Sequence, residues 1–172
     1  LLELRMYNPE NEAESYVIGK TYEFIIPDVD AVYKNTTTGK TYDNSIEATM
    51  EAKAGESVIL LKDHTEGTVL VSEDVDLDLN GYTLTIGAGD NKFNDASNIT
   101  ISNGKIDITG VSVKGNAIFC LDEYEKTLVT TLTLNDVDLT GNGYSSAYGV
   151  FYIGSSSVLN VNGGQWNLSN DT

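Results

Sequence analysis

The chain has 172 residues, enough for one domain with a sizeable core. It carries 10 Lys and Arg against 26 Asp and Glu, a net charge of −16; such a surface repels phosphate backbones, which excludes nucleic acid as a partner, and no run approaches the ~20 apolar residues needed for membrane insertion. The single cysteine, Cys120, allows no disulfide within the chain and, set in the apolar run 117–121, reads as a small buried hydrophobe.

Residues 1–35 read as a leader or attachment segment. It holds a short apolar stretch at 1–6, a turn around Asn8 and Pro9, and a strand at 22–26 stopped by Pro27. Residues 36–56 read as a linker and a capping helix over 44–54. Asn44 or Ser45 caps it, Glu47 lies in its first turn and Gly55 stops it. Ile46, Met50 and Ala54 recur every four residues and predict one apolar stripe.

From residue 57 to 172 the pattern changes to short strands broken by Gly, Asn and Asp. The predicted strands are 58–61, 68–71, 75–79, 83–86, 98–101, 105–108, 117–121, 131–134, 137–139, 150–153, 158–161 and 165–168. Strict alternation, as in Leu77 and Leu79 flanking Asp78, predicts one buried and one polar face.

A unit of strand, asparagine-containing bend and strand then repeats. It runs over 77–86, 99–108, 132–139 and 159–168, with bend asparagines at Asn80, Asn103, Asn135 and Asn162. Their spacings are 23, 32 and 27 residues. A stack of β-hairpins also uses Asn-Gly turns. A minimum spacing with longer insertions, and inward residues in register, favour coils of about three short strands stacked like on like. Asparagine tolerates the left-handed backbone such bends need, and stacked copies can form a ladder.

The expected fold class is therefore all-β, a right-handed parallel β-helix (a solenoid) with an N-terminal capping helix; the hand follows from the usual sense of parallel crossovers. One coil buries too few side chains, at ~1.5–3 kcal/mol each, to offset its own ordering entropy, so only a stack is stable. The helix is expected to cover the first coil. The last coil has no cap in the sequence, so either more chain is expected to follow it or another subunit to cover it.

The segments Asp43-Asn44-Ser45-Ile46-Glu47-Ala48, 54–63 and 75–85 resemble the opening of pectate-lyase-like β-helix domains, which occur in surface proteins of gut Gram-positive bacteria and in fibre proteins of phages infecting gut bacteria. The likeness spans about residues 40–170 and is specific for fold. It implies a virion, extracellular or cell-surface setting.

An enzyme of that superfold, a polysaccharide lyase or glycoside hydrolase, needs a positioned base with a cation, or paired carboxylates. The chain has one arginine, Arg5, outside the coils, and one histidine, His64, in a predicted turn; Lys105 and Lys114 are the remaining candidate bases. No catalytic set is expected. Asp74, Asp76 and Asp78 alternate along one strand face, with Asp90 and Asp95 in the next loop. These oxygens could hold Ca²⁺, or simply form a solvated face opposite Val75 and Leu77. Tyr144, Tyr148, Tyr152 and Trp166 cluster late in the chain. They could stack on sugar rings or anchor a protein, or could be core residues of wide coils. The 87–97 and 121–130 insertions are the other candidate contact regions. The expectation is a non-catalytic display or adhesion module without a cofactor. Its partners would be other structural subunits or surface glycans, or a second copy of itself, with a carbohydrate-active enzyme as the alternative.

Overall fold

The computed structural model describes residues 5–6, 16–17, 30–44, 48–49, 51–67, 74–87, 91–93, 98–114, 117–121, 130–154 and 156–170. Every regular element among them is a strand: β1 (Arg5–Met6), β2 (Tyr16–Val17), β3 (Tyr33–Asn35), β4 (Thr41–Tyr42), β5 (Ser57–Leu60), β6 (His64–Glu66), β7 (Val75–Asp78), β8 (Thr83–Ile86), β9 (Asn91–Phe93), β10 (Asn98–Asp107), β11 (Ser112–Val113), β12 (Phe119–Leu121), β13 (Thr131–Asn142), β14 (Ser145–Ser146), β15 (Phe151–Ile153), β16 (Val158–Asn162) and β17 (Trp166–Ser169). The predicted strands at 22–26 and 68–71, and residues 88–90, 94–97 and 122–129 of the two insertions, lie outside the described residues.

The chain is all-β with a mostly parallel sheet. Ten strands form the main sheet, in the order β16, β13, β10, β7, β5, β3, β4, with β17 beside β13 and β8 bridging β10 and β6. Two smaller parallel sheets follow, β11 with β14 and β15–β12–β9. Strand pairing follows the apolar pattern. One column runs Val58, Leu77, Ile101, Leu134, Val161, and another Val75, Ile99, Leu132, Leu159. A third runs Leu84, Ile106, Leu139, Trp166. Alternate residues point inward, so each level drops its aliphatic side chains onto those of the level before. Leu77, Leu84, Ile99, Leu132 and Leu134 are fully buried as a result. At ~1.5–3 kcal/mol per buried side chain these columns supply the main stabilisation.

The strand–bend–strand unit is one long strand with a kink. Ser102, Asn135 and Asn162 are paired in register, and so are Gly104 and Val137. The kink residues between them, Asn103, Asp136 and Gly163, therefore stack, and all three have left-handed backbones with φ of 56°, 51° and 85°. This corrects the asparagine register: Asn135 and Asn162 sit one residue before the kink. Asn162 Nδ2 donates to Asn135 Oδ1 at 2.9 Å, whereas Asn103 Nδ2 donates to Asp78 Oδ1 at 3.3 Å and Asn80 Nδ2 to the Leu60 carbonyl at 3.2 Å. The expected four-membered ladder is thus two-membered among the described residues. What the kink demands is a residue that tolerates positive φ, and Asn, Asp and Gly all do.

The end of the sheet before β5 is closed by an antiparallel hairpin. β3 pairs β5 through Tyr33 with Leu60 and Asn35 with Val58, and β4 pairs β3. Tyr33–Asn35, placed in the leader by sequence, is thus a strand of the main sheet. Of the expected capping helix, only Ala48, Thr49 and Glu51 have helical backbone, and no helix is an element among the described residues. Ile46 and Met50 lie outside those residues. Ala54 is exposed in a turn, while Ala48 and Ala52 are buried. Residues 52–54, expected in the last turn of that helix, lie outside it, and the chain turns towards β5 through a Glu56 N–H to Lys53 carbonyl bond.

Asn35, fully buried, ties this end together. Its Oδ1 accepts from the N–H groups of Thr37 at 2.9 Å and Thr38 at 3.0 Å, and its Nδ2 donates to Glu56 at 2.8 Å. Glu56 also accepts from the Lys53 N–H at 3.0 Å. The Lys53 bond first, then Asn35, hold the Glu56 carboxyl below its ordinary range; the ion pair with Lys40 does the same for Glu51.

Two outcomes follow. An added Cβ on Gly104 would meet Leu79 Cβ at 2.5 Å and the Tyr82 carbonyl at 2.7 Å, so Gly104→Ala is expected to lower unfolding free energy by about 2–3 kcal/mol in urea titrations. A depressed glutamate contributes stability above its unfolded pKa, about 4.3, and loses that contribution as pH falls through the lower folded value. Glu56→Gln should therefore be less stable than wild type at neutral pH, and the gap should close on acidification below about pH 4 in thermal melts.

Candidate functional site

The four late aromatics divide into two environments. Trp166 faces inward, in the column above Leu139, and its ring stacks on Phe151 with centroids 5.7 Å apart at 23°. Phe151 in turn stacks on Phe119 at 5.2 Å and 22°, as their register pairing dictates. Offset stacks of this kind add to area burial. Trp166 is 38% exposed only because nothing among the described residues lies above it. Tyr144 also packs against the core, beside Gly141. Tyr148 and Tyr152 form the other environment. Tyr148 is 60% exposed, and its ring meets the half-buried Tyr152 at 6.1 Å, tilted by 59°. So only Tyr148 and Tyr152, of the four, present a paired aromatic surface. The interior stack was missed at the sequence level, although Phe119 and Phe151 occupy matching places in successive units.

The aspartate row does not close round an ion. Alternate residues on a flat strand are about 6.6 Å apart, and the carboxylates have other work. Asp74 Oδ1 accepts the Asn98 N–H at 2.8 Å, while Asp78 Oδ1 accepts the Asn80 N–H at 2.7 Å as well as the Asn103 amide. Asp76 is exposed. Among the described residues no group of three or more His, Cys, Asp and Glu could hold a metal. Asp90 and Asp95 lie outside those residues. The same bonding recurs elsewhere: Asp63 Oδ1 accepts the Thr83 N–H at 2.7 Å and Asp138 Oδ1 the Gln165 N–H at 2.8 Å. With Asp74, these carboxylates reach from one level to the first free N–H of the next. Part of the acidity is therefore structural.

His64 lies in a strand, β6, paired with β8, and not in a turn. Its Nε2 is 3.5 Å from Glu66 Oε1, and its ring stands nearly perpendicular to that of Tyr33 with centroids 6.1 Å apart. Lys105 lies near the C-terminal end of β10, two residues before Asp107; burial raises the Asp107 carboxyl, but bonds from Thr109 more than offset this and leave it below its ordinary range. Lys114 is exposed after β11. Cys120 is buried, with Sγ 3.8 Å from the Ala117 carbonyl. No helix among the described residues is long and apolar enough to cross a membrane.

Comparison of the chain with family models, with curated proteins and with solved structures gives no match.

The two aromatic environments are separable by mutation. Trp166→Ala should cost about 1–2 kcal/mol of stability by loss of the inner stack. Tyr148→Ala should change it by less than about 0.5 kcal/mol. Paired thermal or urea melts measure both.

Proposed function

We propose that the chain is a right-handed parallel β-helix that acts as a non-catalytic display or adhesion module on a virion or bacterial surface, with Tyr148 and Tyr152 contacting a glycan or protein partner. The observation that carries this reading is the unbroken parallel register from β5 through β7, β10 and β13 to β16. It is accompanied by two further parallel sheets whose strands lie between those of the main sheet in the sequence. Strands so connected and so paired wind as coils. The right hand is the sense that nearly all parallel crossovers take.

A coil of this kind suits a spacer. Its stability is spread along a continuous backbone ladder, so a chain without disulfides can stay rigid and resist proteolysis outside a cell. The paired tyrosines offer apolar faces and phenolic hydroxyls on that rigid support, the usual composition of a surface that stacks on sugar or anchors a partner. The resemblance read from the segments 43–48, 54–63 and 75–85 alone points the same way.

Binding to an array of immobilised glycans, together with turnover on a panel of polysaccharides with and without Ca²⁺, tests the proposal. The expected result is retention on at least one neutral glycan without turnover, weakened roughly tenfold or more in Tyr148→Ala/Tyr152→Ala. Turnover that disappears in Lys105→Ala or Lys114→Ala would sink it in favour of a lyase or hydrolase.

A further inference from the structure

Asparagine followed by glycine carries its own route to chemical change. The glycine nitrogen gives up its proton to solvent base and attacks the side-chain carbonyl carbon, Cγ. A C–N bond forms, Nδ2 leaves as ammonia, and a cyclic imide remains. Water opens that ring at either carbonyl. One product is aspartate; the other is isoaspartate, in which the main chain runs through Cγ and is longer by a carbon atom. Glycine favours the attack because no side chain shields its nitrogen, and asparagine is thermolabile for this reason. Two such pairs, Asn80–Gly81 and Asn103–Gly104, lie at left-handed turns in the middle of the stack, with φ of 53° at Asn80 and 56° at Asn103. Both asparagines are exposed, so base and water reach them.

Their neighbours nevertheless hold both pairs apart from reaction. The attack needs a free glycine N–H and a side-chain amide that can turn to meet it. The Gly81 N–H donates to the Asn103 carbonyl of the next level at 2.6 Å. Asn80 Nδ2 donates to the Leu60 carbonyl of the level before at 3.2 Å, and the Asn80 N–H to Asp78 Oδ1 at 2.7 Å. Asn103 Nδ2 donates to the same Asp78 oxygen at 3.3 Å. Gly104 is wedged in place: a Cβ there would meet Leu79 Cβ at 2.5 Å, and the Lys105 N–H that follows donates to the Tyr82 carbonyl at 3.1 Å. The Gly104 peptide therefore has no room to swing onto Cγ.

We infer that Asn80 and Asn103 are deamidation sites that the stack keeps closed, and that they open to solvent chemistry only when adjacent levels separate. Local opening of this kind is an equilibrium of the native state, with a cost that rises with the bonds that must break. The change is irreversible once ammonia has left. Isoaspartate at 103 sets an extra backbone atom between the Ser102–Asn135 and Gly104–Val137 pairs, so a chain altered there loses register beyond the kink. The frequency of opening thus sets the chemical lifetime of the coil.

Incubation of the whole chain in mildly alkaline buffer, followed by digestion and mass spectrometry of the peptides that hold each asparagine, tests this. In denaturing urea both Asn80 and Asn103 should convert to aspartate and isoaspartate. In native buffer at the same pH both should convert at least roughly tenfold more slowly, because reaction waits on opening. Asp78→Ala removes the acceptor shared by the Asn80 N–H and the Asn103 amide. Held below its melting transition, that variant should convert at both positions roughly threefold or more faster than wild type. The wild-type comparison decides the matter without any variant having to fold. Equal rates in native buffer and in urea, no conversion in urea, or unchanged rates in a folded Asp78→Ala chain overturns the inference.

Discussion

Parallel backbone pairing in register is the interaction on which everything else in this chain depends. β10 is paired in register with β7 and β8 on one side and β13 on the other, and the side-chain period of two then places apolar residues over apolar residues at every level. A slip of one residue would turn Ile99, Ile101 and Ile106 outward and Thr100, Lys105 and Asp107 inward. The columns of aliphatic side chains and the left-handed kinks are consequences of that register. Both are also conditions for it, because Gly104 and Gly164 leave no room for a side chain where adjacent levels approach.

Hydrogen bonds from side chain to backbone take over where the ladder stops. At the kinks and level starts, N–H groups that no strand can satisfy are accepted by Asp63, Asp74, Asp78, Asp107 and Asp138. These bonds lie at exposed positions, where each adds a modest net gain and fixes the backbone of a bend or level start. This explains why an aspartate row that has the spacing of oxygen ligands along the sequence has no ligand geometry in space. It also gives the acidic composition a role beyond solubility.

The candidate surface shows the same dependence on register. Tyr148 and Tyr152 meet because β15 is pinned to β12, and Trp166 turns away from them because its place above Leu139 is an inward one. The exposed pair and the inward stack are therefore neighbours with different surroundings.

Sequence alone determined the all-β class, the parallel stacking of repeated units and the inward aliphatic residues, because period-two alternation and recurrence at 23 to 32 residues are local properties of the chain. It could not place the kink to the residue, since Asn, Asp and Gly all tolerate positive φ and adjacent asparagines compete for the role. Only the tertiary structure decided that, by aligning Asn103, Asp136 and Gly163 in one column. It likewise decided that an antiparallel hairpin closes the first level, because β3 and β4 are strands of three and two residues, and β3 pairs with an edge formed more than twenty residues later. Short strands, and side chains whose neighbours come from other levels, acquire their meaning only when the stack exists.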